Sequence, residues 1–149
     1  MLKIQIANWK SWNKSLLDKI QFIVADDGSP EPLKLYGPPG FSLNVYRIES
    51  NIQWNFSGVK NLLAHVAKTD WFLLHDIDYV FTEESINEML ALPMDDPTKF
   101  YNFRCIMKSS GKMKPKDHYP ISSFLVNKEM FWKVGGHDED FSGHYTCHD

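Results

Sequence analysis

Two acids stand two residues apart, Asp76 and Asp78, inside the run Trp71-Phe72-Leu73-Leu74-His75-Asp76-Ile77-Asp78-Tyr79-Val80-Phe81. The run opens with four bulky apolar residues, and a stretch of this kind suits a central strand covered on both faces. Burying an unpaired carboxylate in such a place costs several kcal/mol, so something must neutralise the acids. On an extended backbone, residues two apart point the same way. Asp76 and Asp78 are therefore expected to share a face, with Ile77 turned back into the core. Two hard oxygen donors at the end of a buried strand suit Mg²⁺ or Mn²⁺ held together with substrate phosphates. Two solvated acids at a strand end fit the same spacing, so the flanking motifs decide between the two readings.

A second acidic strand end lies upstream. Gln21-Phe22-Ile23-Val24-Ala25 reads as a strand that runs into the turn cluster Asp26-Asp27-Gly28-Ser29-Pro30. Ligands of open α/β sheets sit at the carboxyl ends of strands, so the two acidic ends are expected to face one crevice. Asp27 either contacts a ligand there or forms an Asx-turn under Gly28. Asp26 belongs to the same pocket or supports the turn. Asn8, just past an expected first strand Leu2–Ala7, either lines the pocket or is a turn residue. Lys60 and Asn61 follow Gly58 at the head of an expected helix, Ser57–Lys68. Positive charge beside a helix N-terminus can meet a diphosphate; a solvated helix face is the alternative. His148, four residues after His144, is a candidate further metal ligand if that segment is helical.

The elements that position these residues alternate. Val59, Leu62, Leu63, Val66 and Ala67 fall on one stripe at helical spacing, with Ser57 as the expected N-cap. That helix leads from a strand at Leu43–Ile48 into the central run, a β-α-β unit. Short helices are expected at Ser15–Ile20 and Lys128–Val134, and Thr82 with Glu83 and Glu84 opens another that Pro93 ends. Lys99–Met107 and Ile121–Val126 read as strands. Lys108–Pro120 reads as a basic flap, with Asp117, His118 and Tyr119 able to reach an acceptor. The sum is an α/β sandwich with a mainly parallel sheet.

Composition narrows the class. The 149 residues make one domain; 43% hydrophobic and 14% aromatic content fits a folded globule rather than a disordered chain. A net charge of −3 argues against a nucleic-acid or anionic-membrane surface. No apolar run approaches the ~20 residues of a transmembrane helix. Two cysteines, Cys105 and Cys147, make no disulfide framework, so a reducing cytoplasm is the expected location. The chain closes inside a dense polar cluster, which leads us to expect a fragment lacking its C-terminal part.

In order and spacing, these motifs resemble the GT-A glycosyltransferases, in particular family 2 and the galactosyltransferase-like group. The resemblance rests on Val24-Ala25-Asp26-Asp27-Gly28-Ser29, on Gly58-Val59-Lys60-Asn61 with Lys where that family has Arg, on Asp76-Ile77-Asp78, and on Gly135-Gly136-His137-Asp138-Glu139-Asp140-Phe141 followed by His148-Asp149. It implies a GT-A, Rossmann-like α/β/α sandwich and a metal-dependent transfer of a sugar from a nucleotide sugar, UDP-linked, to an acceptor hydroxyl. It implies that Asp27 accepts a hydrogen bond from the uracil N–H. Asp76 binds the metal or contacts the ribose, Asp78 binds Mn²⁺ or Mg²⁺, and Asp149 acts as the general base of an inverting reaction. His137 departs from the family's aromatic after Gly-Gly, and His148 stands where it has Glu.

Two other readings remain. One is a nucleotide-sugar-binding module that lacks a complete acceptor side. The other is a sugar nucleotidyltransferase, which opens with a glycine-rich phosphate loop after its first strand; Asn8-Trp9-Lys10-Ser11-Trp12 contains no glycine.

Overall fold

Two apolar clusters lie on opposite sides of the strands and decide the layering. The computed structural model describes residues 1–34, 40–104, 106–109, 112–115 and 122–144, with backbone alone for 106–109 and 112–115. In chain order the elements are α1 (Leu2–Lys10), α2 (Lys14–Leu17), β1 (Phe22–Asp27), β2 (Leu43–Ile48), α3 (Phe56–Val66), β3 (Trp71–Leu74) and α4 (Glu83–Leu90). They continue with β4 (Phe100–Asn102), β5 (Ile106–Ser109), β6 (Lys112–Pro115), β7 (Phe124–Asn127) and α5 (Lys128–Lys133). Trp9, Trp12, Leu16 and Leu17 of the α1–α2 region pack with Phe22 and Val24 of β1 and Ile86 and Met89 of α4. On the other side, Ala64 and Ala67 at the end of α3 pack with Phe72 and Leu74 of β3, Phe124 and Val126 of β7, and Phe131 of α5. The α/β layering follows from these two clusters.

Among the described residues the strands do not form the one mainly parallel sheet that the sequence suggests. β1 and β2 pair in parallel, with Phe22 opposite Leu43 and Asp27 opposite Ile48. β3, β7 and β4 form a separate three-stranded sheet in the order β3-β7-β4, with both pairings antiparallel. β5 and β6 pair antiparallel where the sequence suggests one long strand followed by a flap. Cys105, Asp117, His118, Tyr119 and Cys147 lie outside the described residues, as do His148 and Asp149.

Three further expectations are corrected. Leu2–Ala7 is helical rather than extended. Its alternation of Leu2, Ile4 and Ile6 has period two, yet the residues that go inward are Gln5 and Trp9, four apart, with Leu2 and Ile6 packed beside them, while Ile4 is 55% exposed. A polar glutamine on the inward face conceals the helical period from a hydrophobicity count. Secondly, the central run is extended only from Trp71 to Leu74, where its pairing with β7 ends at Phe124. Asp76, Ile77, Asp78 and Tyr79 form a turn closed by the Tyr79 N–H donating to the Asp76 carbonyl at 3.1 Å, and Ile77 is exposed instead of buried. Thirdly, α3 starts at Phe56 with Asn55, not Ser57, in the N-cap position. Its buried row is Ser57, Lys60, Asn61 and Ala64. Val59, Leu62, Leu63 and Val66 are only half-buried. The cap expected at Thr82 is present: its hydroxyl accepts from the Ser85 N–H at 3.1 Å.

The phase of α3 can be tested by denaturant unfolding. Ala64 has no exposed surface, so Ala64→Leu should overpack the site and cost about 1–3 kcal/mol. Leu62→Ala should cost less, because Leu62 belongs to neither cluster. The reverse ranking would place the apolar stripe inward after all.

Candidate active site

The turn after β1 is built on Asp26, which is 3% exposed. Its Oδ1 accepts the Ser29 N–H at 3.1 Å, and its Oδ2 accepts the Leu33 N–H at 3.2 Å and Arg47 Nη1 at 2.9 Å. Arg47 stands opposite Asp26 in the β1–β2 register, and its Nη2 also donates to the Ser29 carbonyl at 2.8 Å. Hydrogen bonding from Ser29 leads in holding the Asp26 carboxyl below the ordinary carboxylate range, with Leu33 and Arg47 adding to it against the cost of burial. Asp26 therefore faces its own turn. Its neighbour Asp27 is left exposed at the strand end, where Asn55 Nδ2 donates to its Oδ1 at 3.2 Å. Partial burial raises the Asp27 carboxyl above its ordinary range; the Asn55 amide pulls it down and the Asp26 charge pushes it up.

Asn55 reaches Asp27 because position 58 is glycine. A Cβ there would run into the Asn55 side-chain amide. Trp54, directly before Asn55, has φ +53, a left-handed conformation uncommon for a bulky residue. Such strain costs on the order of 1–3 kcal/mol and persists only where surrounding structure imposes it. One turn into α3, Lys60 is 6% exposed, with Nζ 4.7 Å from the centre of the Phe56 ring. Asn61 is committed to the Gly-Gly turn. Its Nδ2 donates to the His137 carbonyl at 2.8 Å and to Glu139 Oε1 at 2.7 Å, and its Oδ1 accepts the His137 N–H at 2.9 Å. Gly136, at φ +67, allows this approach: a Cβ there would lie 2.8 Å from Asn61 Oδ1. Asn61 thus fixes the turn where the sequence suggested a diphosphate contact.

The acid-bearing turn after β3 is held from one side by α1. Gln5 Nε2 donates to the carbonyls of Ile77 at 2.9 Å and Tyr79 at 2.6 Å. Asn8 Nδ2 donates to the Phe81 carbonyl at 2.8 Å. Asn8 supports the loop from a helix, three residues along the same face as Gln5. On the other side, the Ser122 hydroxyl donates to Asp76 Oδ2 at 2.5 Å. Neither Asp76 nor Asp78 pairs with a lysine or arginine among the described residues. Desolvation lowers the adjacent His75 and favours a neutral ring, against the pull of the Asp76 carbonyl and the charges of Asp76 and Asp78. Gln5 and Ser122 carried no motif in the sequence; their importance comes from contacts more than 40 positions away.

A cavity of about 890 Å³ joins these parts. Asp27, Lys60, His75 and Asp76 line it together, along with Gln5 and Phe56. Asp78 is exposed and outside its lining, and Asn8, Asp26 and Asn61 support its walls instead of facing it. Among the described residues no group of three or more His, Cys, Asp or Glu side chains is placed to hold a metal. Of the two acids expected to share a face, only Asp76 lines the cavity; two carboxylates make no all-protein cage, and a cation held by them would take the rest of its shell from water and substrate phosphates, as Mg²⁺ does.

An apolar cavity with an acid from each of two strand ends and a buried lysine is what remains to be explained. Residues 8–148 match the model of glycosyl transferase family 2. The chain belongs to glycosyltransferase family 2. No curated protein and no solved structure matches it. A family 2 glycosyltransferase takes a sugar from a nucleotide-sugar donor and passes it to an acceptor, and membership implies the GT-A fold, with which the α/β layering agrees. No described helix is long and apolar enough to cross a membrane.

Two measurements test the wall around Asp27. Asp26 has a lowered carboxyl, so the stability it contributes is present above the ordinary value of 3.8 and is lost as pH falls through its lowered value. Asp26→Asn should therefore be less stable than the native chain at neutral pH, and the gap should close in acid. Gly58→Ala should displace the Asn55 amide, remove its downward pull and raise the Asp27 carboxyl further. Carbon-detected NMR titration of the aspartates reads that shift.

Proposed function

We propose that this family 2 glycosyltransferase uses a UDP-sugar, with a galactosyl donor as the first to test, and that Asp76 and Asp78 hold the Mn²⁺ or Mg²⁺ that accompanies its diphosphate. The observation that carries the reading is the cavity shared by Asp27, Lys60 and Asp76 at the carboxyl ends of β1 and β3. Asp27, exposed at its strand end and raised by partial burial, accepts the uracil N–H. Lys60, already sheltered from water, faces the diphosphate, where charge attraction is stronger than in bulk solvent. The ammonium lies 4.7 Å from the centre of the Phe56 ring, a contact that helps to fix its position. Bound metal would supply charge stabilisation for the departing nucleoside diphosphate. Asp76 keeps Oδ1 for this purpose while Ser122 holds Oδ2. Asp149 is the proposed base that deprotonates the acceptor hydroxyl, giving inversion, and His148 is a proposed further ligand; both lie outside the described residues.

Thermal-shift titration with UDP, Mn²⁺ and both together tests the reading. UDP should stabilise the native chain more with Mn²⁺ than without. Asp78→Ala should lose that metal-dependent increment while keeping its own Tm, and its turnover of UDP-galactose should fall on the order of 10²-fold or more. A nucleotide shift that ignores both Mn²⁺ and Asp78 would remove the metal from the proposal. Binding of UDP without release from any UDP-sugar would favour a binding module.

A further inference from the structure

A second hollow, of about 580 Å³, opens at the other end of β3 from the acid-bearing turn. Asn127 stands opposite Trp71 in the β3–β7 register, and the Lys128 N–H donates to the Asp70 carbonyl at 2.7 Å. These contacts bring the start of β3 and the start of α5 together, and Asp95 of the loop after α4 joins them in the lining. β3 has four residues, so about 13 Å of strand separates this hollow from the turn that carries Asp76. Asp70 and Trp71 also border the first cavity; Asp95, Asn127, Glu129 and Trp132 do not.

Asn127 is 8% exposed. Its Oδ1 accepts the N–H groups of Glu129 at 3.0 Å and Met130 at 3.3 Å and so caps α5. Those two donors fix which way the amide faces, because only its oxygen can accept them. Nδ2 is left without a hydrogen-bond partner among the described residues, on a side chain that lines the hollow. Whatever fills the hollow must therefore offer this amide an acceptor.

The rest of the lining narrows the chemistry. Trp132 is 39% exposed and brings an aromatic surface. Asp70, Asp95 and Glu129 bring carboxylates, which accept hydrogen bonds. The Lys128 ammonium is committed to the end of α3, donating to the carbonyls of His65 at 3.0 Å and Ala67 at 2.6 Å. Among the described residues no three acids are placed to hold a metal ion. A simple cation would give Asn127 Nδ2 no acceptor, and an anion would be opposed by three carboxylates. A hydroxyl both donates and accepts, and a pyranose ring carries hydroxyls around an apolar C–H face that suits an indole. The reaction of the family supplies such a ligand, since its product bears a sugar.

We propose that this hollow is a non-catalytic binding site for a neutral pyranose residue of a glycan. The ring stacks on Trp132, one hydroxyl accepts from Asn127 Nδ2, and others donate to the surrounding carboxylates. A glycan held there is anchored at the far end of β3 from the reacting groups. The inference rests on membership of the family and not on the identity of the donor or on a metal.

Saturation-transfer NMR of the 149-residue chain with four neutral tetrasaccharides, built of glucose, galactose, mannose or N-acetylglucosamine, tests it. At least one should bind, and Asp76→Ala should leave that binding unchanged. Asn127→Asp keeps the capping oxygen and Tm, because aspartate caps a helix as well as asparagine does. It replaces the donor with an acceptor, so binding should weaken about tenfold or more. Trp132→Ala should weaken it similarly, and Glu129→Gln supplies a further variant at an exposed position should Trp132→Ala fail to fold. Three outcomes would overturn the proposal: no tetrasaccharide binds, binding survives Asn127→Asp unchanged, or binding is lost in Asp76→Ala, which would place the sugar in the first cavity. Tetralysine that binds where no tetrasaccharide does, and binds more tightly to Asn127→Asp, would show a site for a basic peptide instead.

Discussion

The acid-bearing turn depends on a clamp made of side-chain amides. Past Leu74 the chain has no ladder to hold it, yet it carries Asp76 into the cavity. Gln5 and Asn8 replace the ladder by donating to the carbonyls of Ile77, Tyr79 and Phe81. Hydrogen bonds of this kind contribute about 0.5–1.5 kcal/mol each, and a buried donor without an acceptor costs more than that. The clamp therefore fixes α1 and the turn to one another. Because α1 also carries Trp9 into the core on its side, the position of Asp76 is tied to the packing of the whole α1–β1–α4 cluster.

The same economy of polar groups shapes α3. A helix that packs on a sheet normally turns an apolar stripe inward, but α3 turns in Ser57, Lys60 and Asn61 near its start and alanines at its end. Its first two turns face the cavity and the Gly-Gly turn, where polar groups find partners. Its last turns face the core. Gly136 meets Asn61 closely enough that a Cβ at position 136 would force a displacement. This couples the turn at Gly135–Phe141 to the helix that carries Lys60.

Among the described residues the strands divide into a parallel pair, an antiparallel triplet and the β5–β6 pair. Apolar clusters with helices lie on both sides of these strands, so the layers of an α/β sandwich are present although β1 and β3 are not paired to each other among the described residues. Asp27 and Asp76 consequently approach one cavity from two sheets rather than along neighbouring paired strands.

What the sequence determined by itself were the local signals with short-range causes. β1 and β2, the cap at Thr82, the helix after Asn127 and the turn cluster after Asp27 follow from runs of apolar residues and from side chains that bond backbone a few positions away. The motifs that resemble family 2 were also legible, because each is a short string in fixed order. Tertiary structure decided whatever depended on a distant partner. Leu2–Ala7 is a helix because Gln5 finds carbonyls 72 and 74 positions away. Asp26 and Asn61 face inward, to Arg47 and to His137, although their motif neighbours Asp27 and Lys60 reach the cavity. A hydrophobicity pattern records which residues avoid water, and it is silent on which polar residue has a partner waiting for it inside.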